Sequence, residues 1–388
     1  MRGAGARTQW AAATAVAGLL LLAGCSDSAP GEPSAAPLPT TSGSPSGEAT
    51  PEPALEPGPV TPAGDPTVLV TGLTSPWSIV RLASGSALIS ERDTARVIEY
   101  SAPGSTRIAG TVEGVVHGGE GGLLGLAALE TGDTRYLYAY YTSASDNRIV
   151  RMPLLGAPGA YRLGAQEAIL TGIAKAGNHN GGRIAFGPDG KLYATAGDAG
   201  QPSRSQDVSS LNGKILRLNP DGSVPSDNPF RGSPVYTLGH RNPQGLAWDA
   251  SGQLWASEFG QNTWDEFNRI EAGENYGWPV VEGIGGREGF VDPMLQWKTS
   301  EASPSGLAFT RDTFFMAALR GQRLWAIYPG PPADAVAWFT GEFGRLRDAV
   351  AGPGGSLWVL TNNTDGRGSP KSGDDKLLQI RLEPLREG

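Results

Sequence analysis

Short apolar runs recur along the chain in pairs, and the pair itself recurs six times. Each copy follows one plan: a polar loop, a short apolar strand, a turn and a second apolar strand. The first copy is Ser75-Pro-Trp-Ser-Ile-Val with Ala87-Leu-Ile-Ser-Glu91, and the second is Gly121-Gly-Leu-Leu-Gly-Leu-Ala with Tyr136-Leu-Tyr-Ala-Tyr-Tyr. The third joins Gly182-Arg-Ile-Ala-Phe to Lys191-Leu-Tyr-Ala-Thr-Ala-Gly-Asp198, and the fourth joins Gln244-Gly-Leu-Ala-Trp to Gln253-Leu-Trp-Ala-Ser-Glu258. The fifth runs from Ser305-Gly-Leu-Ala-Phe to Thr313-Phe-Phe-Met-Ala-Ala-Leu-Arg320, and the sixth from Asp348-Ala-Val-Ala to Ser356-Leu-Trp-Val-Leu-Thr361. Five of the turns carry glycine; the fifth, Thr310-Arg-Asp, does not.

The copies recur at about 45–60 residues, the length of a four-stranded propeller blade. Further strand candidates follow most copies, such as Val97-Ile-Glu-Tyr and Lys214-Ile-Leu-Arg-Leu. The Gly-Leu-Ala strands carry small residues, as inner strands crowded around a channel require. This pattern predicts an all-β fold, one six-bladed β-propeller of four-stranded antiparallel blades. A β-sandwich is the alternative, but it leaves six similar units unexplained.

The N-terminal region has a different character. Arg2 and Arg7 precede an apolar run from Trp10 to Ala23 that is too short to span a bilayer well. It ends in Leu22-Ala23-Gly24-Cys25, which resembles the bacterial lipobox and implies cleavage before Cys25 and lipidation of its thiol. Residues 1–25 are therefore expected to form a lipoprotein signal, leaving an exported protein held at the membrane by a lipid rather than a span. Residues 26–65 are rich in Pro, Ser, Gly and Thr with almost no large apolar side chains, so they read as a disordered tether. The folded domain is expected over 66–388.

Composition removes several function classes. The formal net charge is −8 and there is no basic run, which argues against nucleic-acid binding. Cys25 is the only cysteine, which excludes an internal disulfide, a thiolate zinc site and an iron–sulfur cluster.

The repeat also locates chemistry. A hairpin brings the residue before its first strand beside the residue after its second, which places His179 near Asp198, Arg241 opposite Glu258 and Arg345 opposite Asn362. Equivalent blades open these loops on one face, so His179, Arg241, Arg320, Arg345 and Arg347 are expected to converge. A histidine backed by an aspartate is a general base held in one tautomer. Clustered arginines suit a carboxylate or phosphate ligand. A structural histidine bond and an Arg241–Glu258 ion pair are the plainer alternatives. The loop from Ser257 to Trp278 is rich in carboxylates and amides, which suits calcium or a simple capped loop.

Three motifs then become specific. Asn180-Gly-Gly-Arg-Ile-Ala-Phe-Gly-Pro-Asp-Gly-Lys-Leu-Tyr with Gly197-Asp198, Gly239-His-Arg-Asn-Pro-Gln-Gly-Leu-Ala-Trp, and Asn275-Tyr-Gly-Trp-Pro together resemble the glucose/sorbosone dehydrogenase family. The resemblance covers about Leu73 to Leu382, nearly the whole folded domain. It implies a six-bladed propeller that oxidises aldose sugars with pyrroloquinoline quinone (PQQ) and Ca2+. Carried over position by position, it makes His179 the base for the anomeric hydroxyl, with Asp198 orienting it. Arg241 is then placed near the quinone carbonyl, and Asn242 is a neighbouring cofactor contact. Thr299, Arg320, Arg345 and Arg347 are implied to hold cofactor carboxylates. Gly260 and Gln261 match carbonyl ligands of the cofactor's calcium, and Glu266 and Tyr276 match ligands of a second, structural calcium.

Three positions depart from the glucose-oxidising pattern. Arg320 stands where a lysine is usual, Gln261 replaces a proline, and Glu120, matched to a cofactor-binding position, takes the place of an expected glutamine near the base and puts an extra negative charge near an anionic cofactor. The leading expectation is oxidation of an aldose to its lactone, with electrons passed to an external acceptor. A calcium-dependent lactonase, or a non-catalytic surface propeller that binds sugar or protein, are the other readings.

Overall fold

The structure is a computed structural model, described over residues 57–386 apart from 103 and 133. The expected signal, Cys25 and most of the tether lie outside the described residues. Among the described residues no helix is long and apolar enough to cross a membrane.

Six antiparallel sheets form six blades, each with four principal strands. The second blade adds the two-residue strand Arg162–Leu163 beside Asn147–Leu155. The six first strands, Pro76–Arg81, Leu123–Thr131, Ile184–Phe186, Pro243–Trp248, Pro304–Thr310 and Leu346–Ala351, are those read as first strands in the sequence. They line the channel, and small residues are needed there. A Cβ on Gly125 would meet the Gly182 carbonyl oxygen at 2.2 Å, and one on Gly306 would meet Asp348 Oδ1 at 1.9 Å. The fifth turn manages without glycine by placing Arg311 and Asp312 at φ +48° and +57°, the left-handed pair that a two-residue hairpin turn takes.

The core is divided among the blade interfaces. Six apolar clusters occur among the described residues, one between each pair of neighbouring blades. Between the fourth and fifth blades, for example, Trp255, Phe267 and Phe314 pack ring on ring with centroids 4.9 to 5.2 Å apart.

The folded part begins earlier than expected. Strand Val60–Val70 pairs antiparallel with Leu377–Pro384 and forms the outer strand of the sixth blade, so 60–65 belong to the propeller and not to the tether. An edge strand needs few apolar side chains, here mainly Val60 and Ala63 at its start, and it tolerates Pro62. That segment therefore has the composition of a linker.

One buried ion pair joins the blades at the channel axis. Arg183 Nη1 donates to Asp348 Oδ2 at 2.9 Å and to Ser78 Oγ at 3.1 Å, while Arg183 Nε donates to the Gln244 carbonyl. Asp348 also accepts the Ile79 N–H, and both charged side chains are under a tenth exposed. Replacing Asp348 by alanine would leave Arg183 buried and unpaired, so Asp348→Ala is expected to lose about 3–5 kcal/mol of stability in denaturant titration. A change under about 1 kcal/mol would show that the pair does not hold the ring.

Candidate active site

Each hairpin is closed at one end of the channel by a single backbone bond, and the site residues sit around these bonds. The N–H after the second strand reaches the carbonyl before the first: Arg92 to Ser75, Thr142 to Gly122, Ala199 to His179, Phe259 to Asn242, Leu319 to Ser303 and Asn362 to Arg345. The convergence expected from the repeat is therefore present, with small shifts of register. In the fourth blade the ladder puts Glu258 opposite Pro243, not Arg241, because the hairpin turns about Ser251, with Trp248 opposite Leu254 and Gly245 opposite Ser257, and the bulge between Pro243 and Gly245 moves Glu258 only one residue toward Arg241.

His179 and Asp198 meet as expected. His179 Nδ1 lies 2.8 Å from Asp198 Oδ1, and Asn178 Nδ2 is 3.4 Å from His179 Nε2. With Nδ1–H donating to the carboxylate and Nε2 accepting from Asn178, the ring is held in the tautomer whose Nε2 is basic. Asp198 also accepts from the Trp278 indole at 2.9 Å and the Gly200 N–H at 2.7 Å. Burial pushes its carboxyl up, but His179, Trp278 and Gly200 together outweigh this and hold it below the usual carboxylate range. His179 has φ +54°, a left-handed backbone unusual for a residue with a side chain.

Arg241 does not pair through its side chain with Glu258. Glu258 Oε2 is 2.7 Å from His240 Nδ1, and Oε1 accepts the backbone N–H groups of Arg241 and Asn242. The Arg241 guanidinium lies 5.6 Å from the Trp278 ring centroid and makes a 3.3 Å bond to the Phe259 carbonyl, while its buried Nε has no hydrogen-bond partner. Burial pulls this guanidinium below its ordinary value, against the nearby carboxylates. Asn242 is buried, and its Oδ1 accepts the Gly181 N–H at 3.0 Å, tying the fourth blade to the loop of His179.

Beside these groups lies a pocket of about 190 Å³ lined by Trp77, Arg92, Glu120, Gln244, Phe259, Arg320, Arg345, Arg347 and Arg367, among others. Five arginines line it, of which Arg92 pairs with Asp93 at 2.6 Å, so its balance is positive but partly offset. Arg345 donates to Asp365 Oδ2 through Nε and Nη2, at 3.2 and 3.0 Å. Arg347 has only a 3.9 Å contact with that carboxylate, bonds Gln244 Oε1 at 2.9 Å, and leaves a buried Nε without a partner. Burial, with Arg345, Arg92 and Arg183 nearby, pulls Arg347 down to about 9, so it stays charged at neutral pH. Arg320 is exposed and makes no ion pair among the described residues. Glu120, the one acidic lining residue, is 2.9 Å from Arg367 Nη1.

The loop after the fourth blade's second strand is organised around carboxylates. The Gly260 N–H donates to Asp265, and the N–H groups of Gln261, Asn262, Thr263 and Trp264 all turn toward Glu282 Oε1. The carbonyl oxygens of Gly260 and Gln261 accept no hydrogen bond among the described residues. Thr299 stands over this loop, its Oγ1 3.5 Å from the Asn262 carbonyl. Burial raises Asp265 to about 6, and burial together with the charge of Glu258 pushes Glu266 well up. Glu266 accepts from the Gly283 N–H and Asn268, while the Tyr276 hydroxyl donates to the Arg269 carbonyl and its ring stacks on His240. No group of three or more His, Cys, Asp or Glu side chains among the described residues is placed to hold a metal ion.

Sequence reasoning missed Arg92, Arg367, Asp365 and the contact of Trp278 with Asp198. Arg92 was legible, since it follows a second strand as Ala199 does. Arg367 lies in a long loop with no repeat equivalent, and nothing along the chain marks it.

The arrangement is a propeller with a histidine–aspartate pair near a cation-rich pocket, groups with the chemistry for proton transfer beside an anion. The comparisons with known proteins narrow this. The glucose/sorbosone dehydrogenase family model matches residues 73–377, and the chain belongs to that family. The chain is similar to the PQQ-bound form of aldose sugar dehydrogenase from Streptomyces coelicolor, with 50% identity, a TM-score of 0.78, and coverage of 83% of this chain and 100% of that one. An uncharacterised protein from Synechocystis is 31% identical over 77% of this chain and 84% of its own length. Quinoprotein glucose dehydrogenase B from Acinetobacter calcoaceticus is 33% identical over 58% of this chain and 55% of its own.

The close approach of the His179 loop to the following strand gives a direct test of this geometry. A Cβ at Gly197 would meet the His179 carbonyl oxygen at 2.2 Å and carbon at 2.6 Å. Gly197→Ala is therefore expected to displace the loop and cost about 1–3 kcal/mol in chemical denaturation. A variant as stable as the parent would contradict the packing described.

Proposed function

We propose that this protein oxidises aldose sugars at the anomeric carbon to lactones, with PQQ as redox cofactor, Ca2+ as its metal, and an external acceptor taking the electrons. The observation that carries the reading is the His179–Asp198 pair set near a pocket lined by Arg347, whose buried Nε lacks a hydrogen-bond partner, with the Arg241 guanidinium, likewise unpartnered at Nε, reaching the Phe259 carbonyl at its edge. The pocket's five arginines are matched by three carboxylates, Glu120, Asp365 and the Asp93 that holds Arg92, so the donor set keeps an excess of positive charge that suits a polyanion such as the tricarboxylate PQQ. The Streptomyces coelicolor relative, PQQ-bound by its description, is in accord with this.

When bound, PQQ supplies a quinone able to accept two electrons. The remaining work falls to the chain. His179 Nε2 takes the proton of the anomeric hydroxyl, and Asp198 keeps the ring in the required tautomer and stabilises the imidazolium that forms. Arg241 donates toward oxygen on which negative charge develops, in a site where few waters compete. Arg345, Arg347 and Arg320, with Thr299 and Asn242, hold the carboxylated ligand in register with the base. The carbonyls of Gly260 and Gln261, without a hydrogen bond among the described residues, suit the hard cation that accompanies the cofactor, while Glu266 and Tyr276 are proposed for a second one on the family resemblance, since Gly283, Asn268 and the Arg269 carbonyl now occupy them. In this reading the protein is exported and anchored through Cys25, and the bulk of the propeller serves as the rigid frame.

Purified protein supplied with PQQ, Ca2+ and a panel of aldoses is expected to reduce an artificial dye. Turnover in no member of the panel, under any cofactor condition, would overturn the proposal. His179→Ala is expected to lower kcat by about 10²–10⁴-fold while leaving PQQ affinity near that of the parent. Chelation should remove bound calcium, measurable by elemental analysis, and abolish PQQ binding until Ca2+ is restored; cofactor binding that is indifferent to chelation would remove Ca2+ from the proposal.

A further inference from the structure

We infer that Glu120 acts as a positioning residue for His179, with Arg367 as its counter-charge, and not as a contact of the cofactor. This rests on His179 being the base of the proposed reaction. Both carboxylate oxygens are engaged. Glu120 Oε2 accepts the backbone N–H of His179 at 2.8 Å, and Oε1 accepts from Arg367 Nη1 at 2.9 Å. The backbones are locked as well, since the Glu120 N–H donates to the Gly177 carbonyl at 2.9 Å. The two loops are as close as main chains allow: a Cβ on Gly119 would lie 2.1 Å from the Gly177 carbonyl oxygen.

His179 needs such a clamp. Its left-handed φ of +54° is a conformation that persists in a non-glycine residue only where the surroundings over-determine it. An N–H to a carboxylate is a strong bond, and this one grips the backbone of the residue whose ring has to be aimed. A base displaced by about 1 Å loses much of its rate advantage, so fixing the main chain here fixes the chemistry.

Arg367 explains why the residue is an acid. A glutamine at this position would satisfy the His179 N–H but would leave Arg367 without a charge partner. The Arg367 N–H donates to Asp365 Oδ1 at 2.8 Å, and Asp365 Oδ2 holds Arg345. The link thus runs from the base, across the pocket mouth, to the arginines that line the pocket. It also removes the objection that a free carboxylate would repel an anionic ligand, because the Glu120 charge is paired.

The test uses hydrogen exchange and kinetics on the full protein. In cofactor-free protein, Glu120→Ala is expected to speed exchange of the His179 amide about tenfold, the loss of one charged hydrogen bond, with amides of 243–248 unchanged. Glu120→Gln, which keeps an acceptor oxygen, should restore protection, and Arg367→Met should move the same segment in the same direction by less. In loaded enzyme, Glu120→Ala should lower kcat by on the order of 10²-fold with little change in sugar KM or PQQ affinity, and Glu120→Gln should recover most of it. Unchanged exchange at His179 in both Glu120→Ala and Arg367→Met overturns the inference, as does a kcat loss that saturating PQQ reverses. Should the parent oxidise no sugar, the proposed reaction fails alone, and the exchange measurements still decide the role of Glu120.

Discussion

A ring of blades holds only if its last blade is completed by the chain's beginning, and here strand Val60–Val70 does this by pairing with Leu377–Pro384. The rest of the structure depends on that closure. Each apolar cluster is shared between two neighbouring blades, and the one holding Leu69, Val70, Trp358 and Tyr100 joins the last blade to the first. An open ring would expose the facing apolar surfaces of two blades. It would also separate Arg345, Arg347 and Arg367 of the sixth blade from Glu120 of the second, and with them the two sides of the pocket.

Inside the ring, electrostatics sets a second condition. Arg183, Arg347 and Asp348 are almost entirely buried near the axis, and buried charge is tolerated only where partners satisfy it. Arg183 and Asp348 pair with each other and tie several blades together, with only Arg183 Nη2 left without a hydrogen-bond partner. Arg347 is different: its nearest carboxylate is 3.9 Å away, and it leans on Gln244, Ser305 and the Trp77 ring. A cation kept incompletely matched at a pocket wall has the chemistry to meet a negatively charged ligand. The frame and the candidate site thus use the same arginine chemistry, Arg183 with a carboxylate at 2.9 Å and Arg347 with its nearest at 3.9 Å, and each keeps one buried nitrogen without a hydrogen-bond partner.

Around that pocket the backbone is used as actively as the side chains. The six hairpin-closing bonds repeat the same geometry, and the third blade places a histidine where the first and fifth place serine. His179 therefore occupies a position that the repeat makes available in every blade, in the left-handed conformation that Ser75 and Ser303 share at φ 44° and 53°. What distinguishes the third blade is the set of groups around that position: Asp198, Trp278, Asn242 and Glu120 all reach it or its immediate neighbours from other loops.

The sequence by itself determined the blade count, the first and second strands of each blade and the pairing of His179 with Asp198, because these follow from local periodicity and from the symmetry of a hairpin about its turn. The family motifs lie on those same strands and loops, so the family was legible too. The closing strand was not: its partner lies over 300 residues away and its Pro- and Gly-bearing composition is that of a linker. Nor was the partner of Arg241. The hairpin turns about Ser251, which sets Glu258 opposite Pro243, and its carboxylate turned to His240 and the backbone, leaving the guanidinium to the Phe259 carbonyl and the Trp278 ring. Glu120 read as a troublesome charge because its neutralising Arg367 sits in a loop 247 residues further on that belongs to no repeat. Periodicity fixes what a segment does with its neighbours in the chain. Which charges meet, and which are left for a ligand, is decided only when distant loops are brought to one channel mouth.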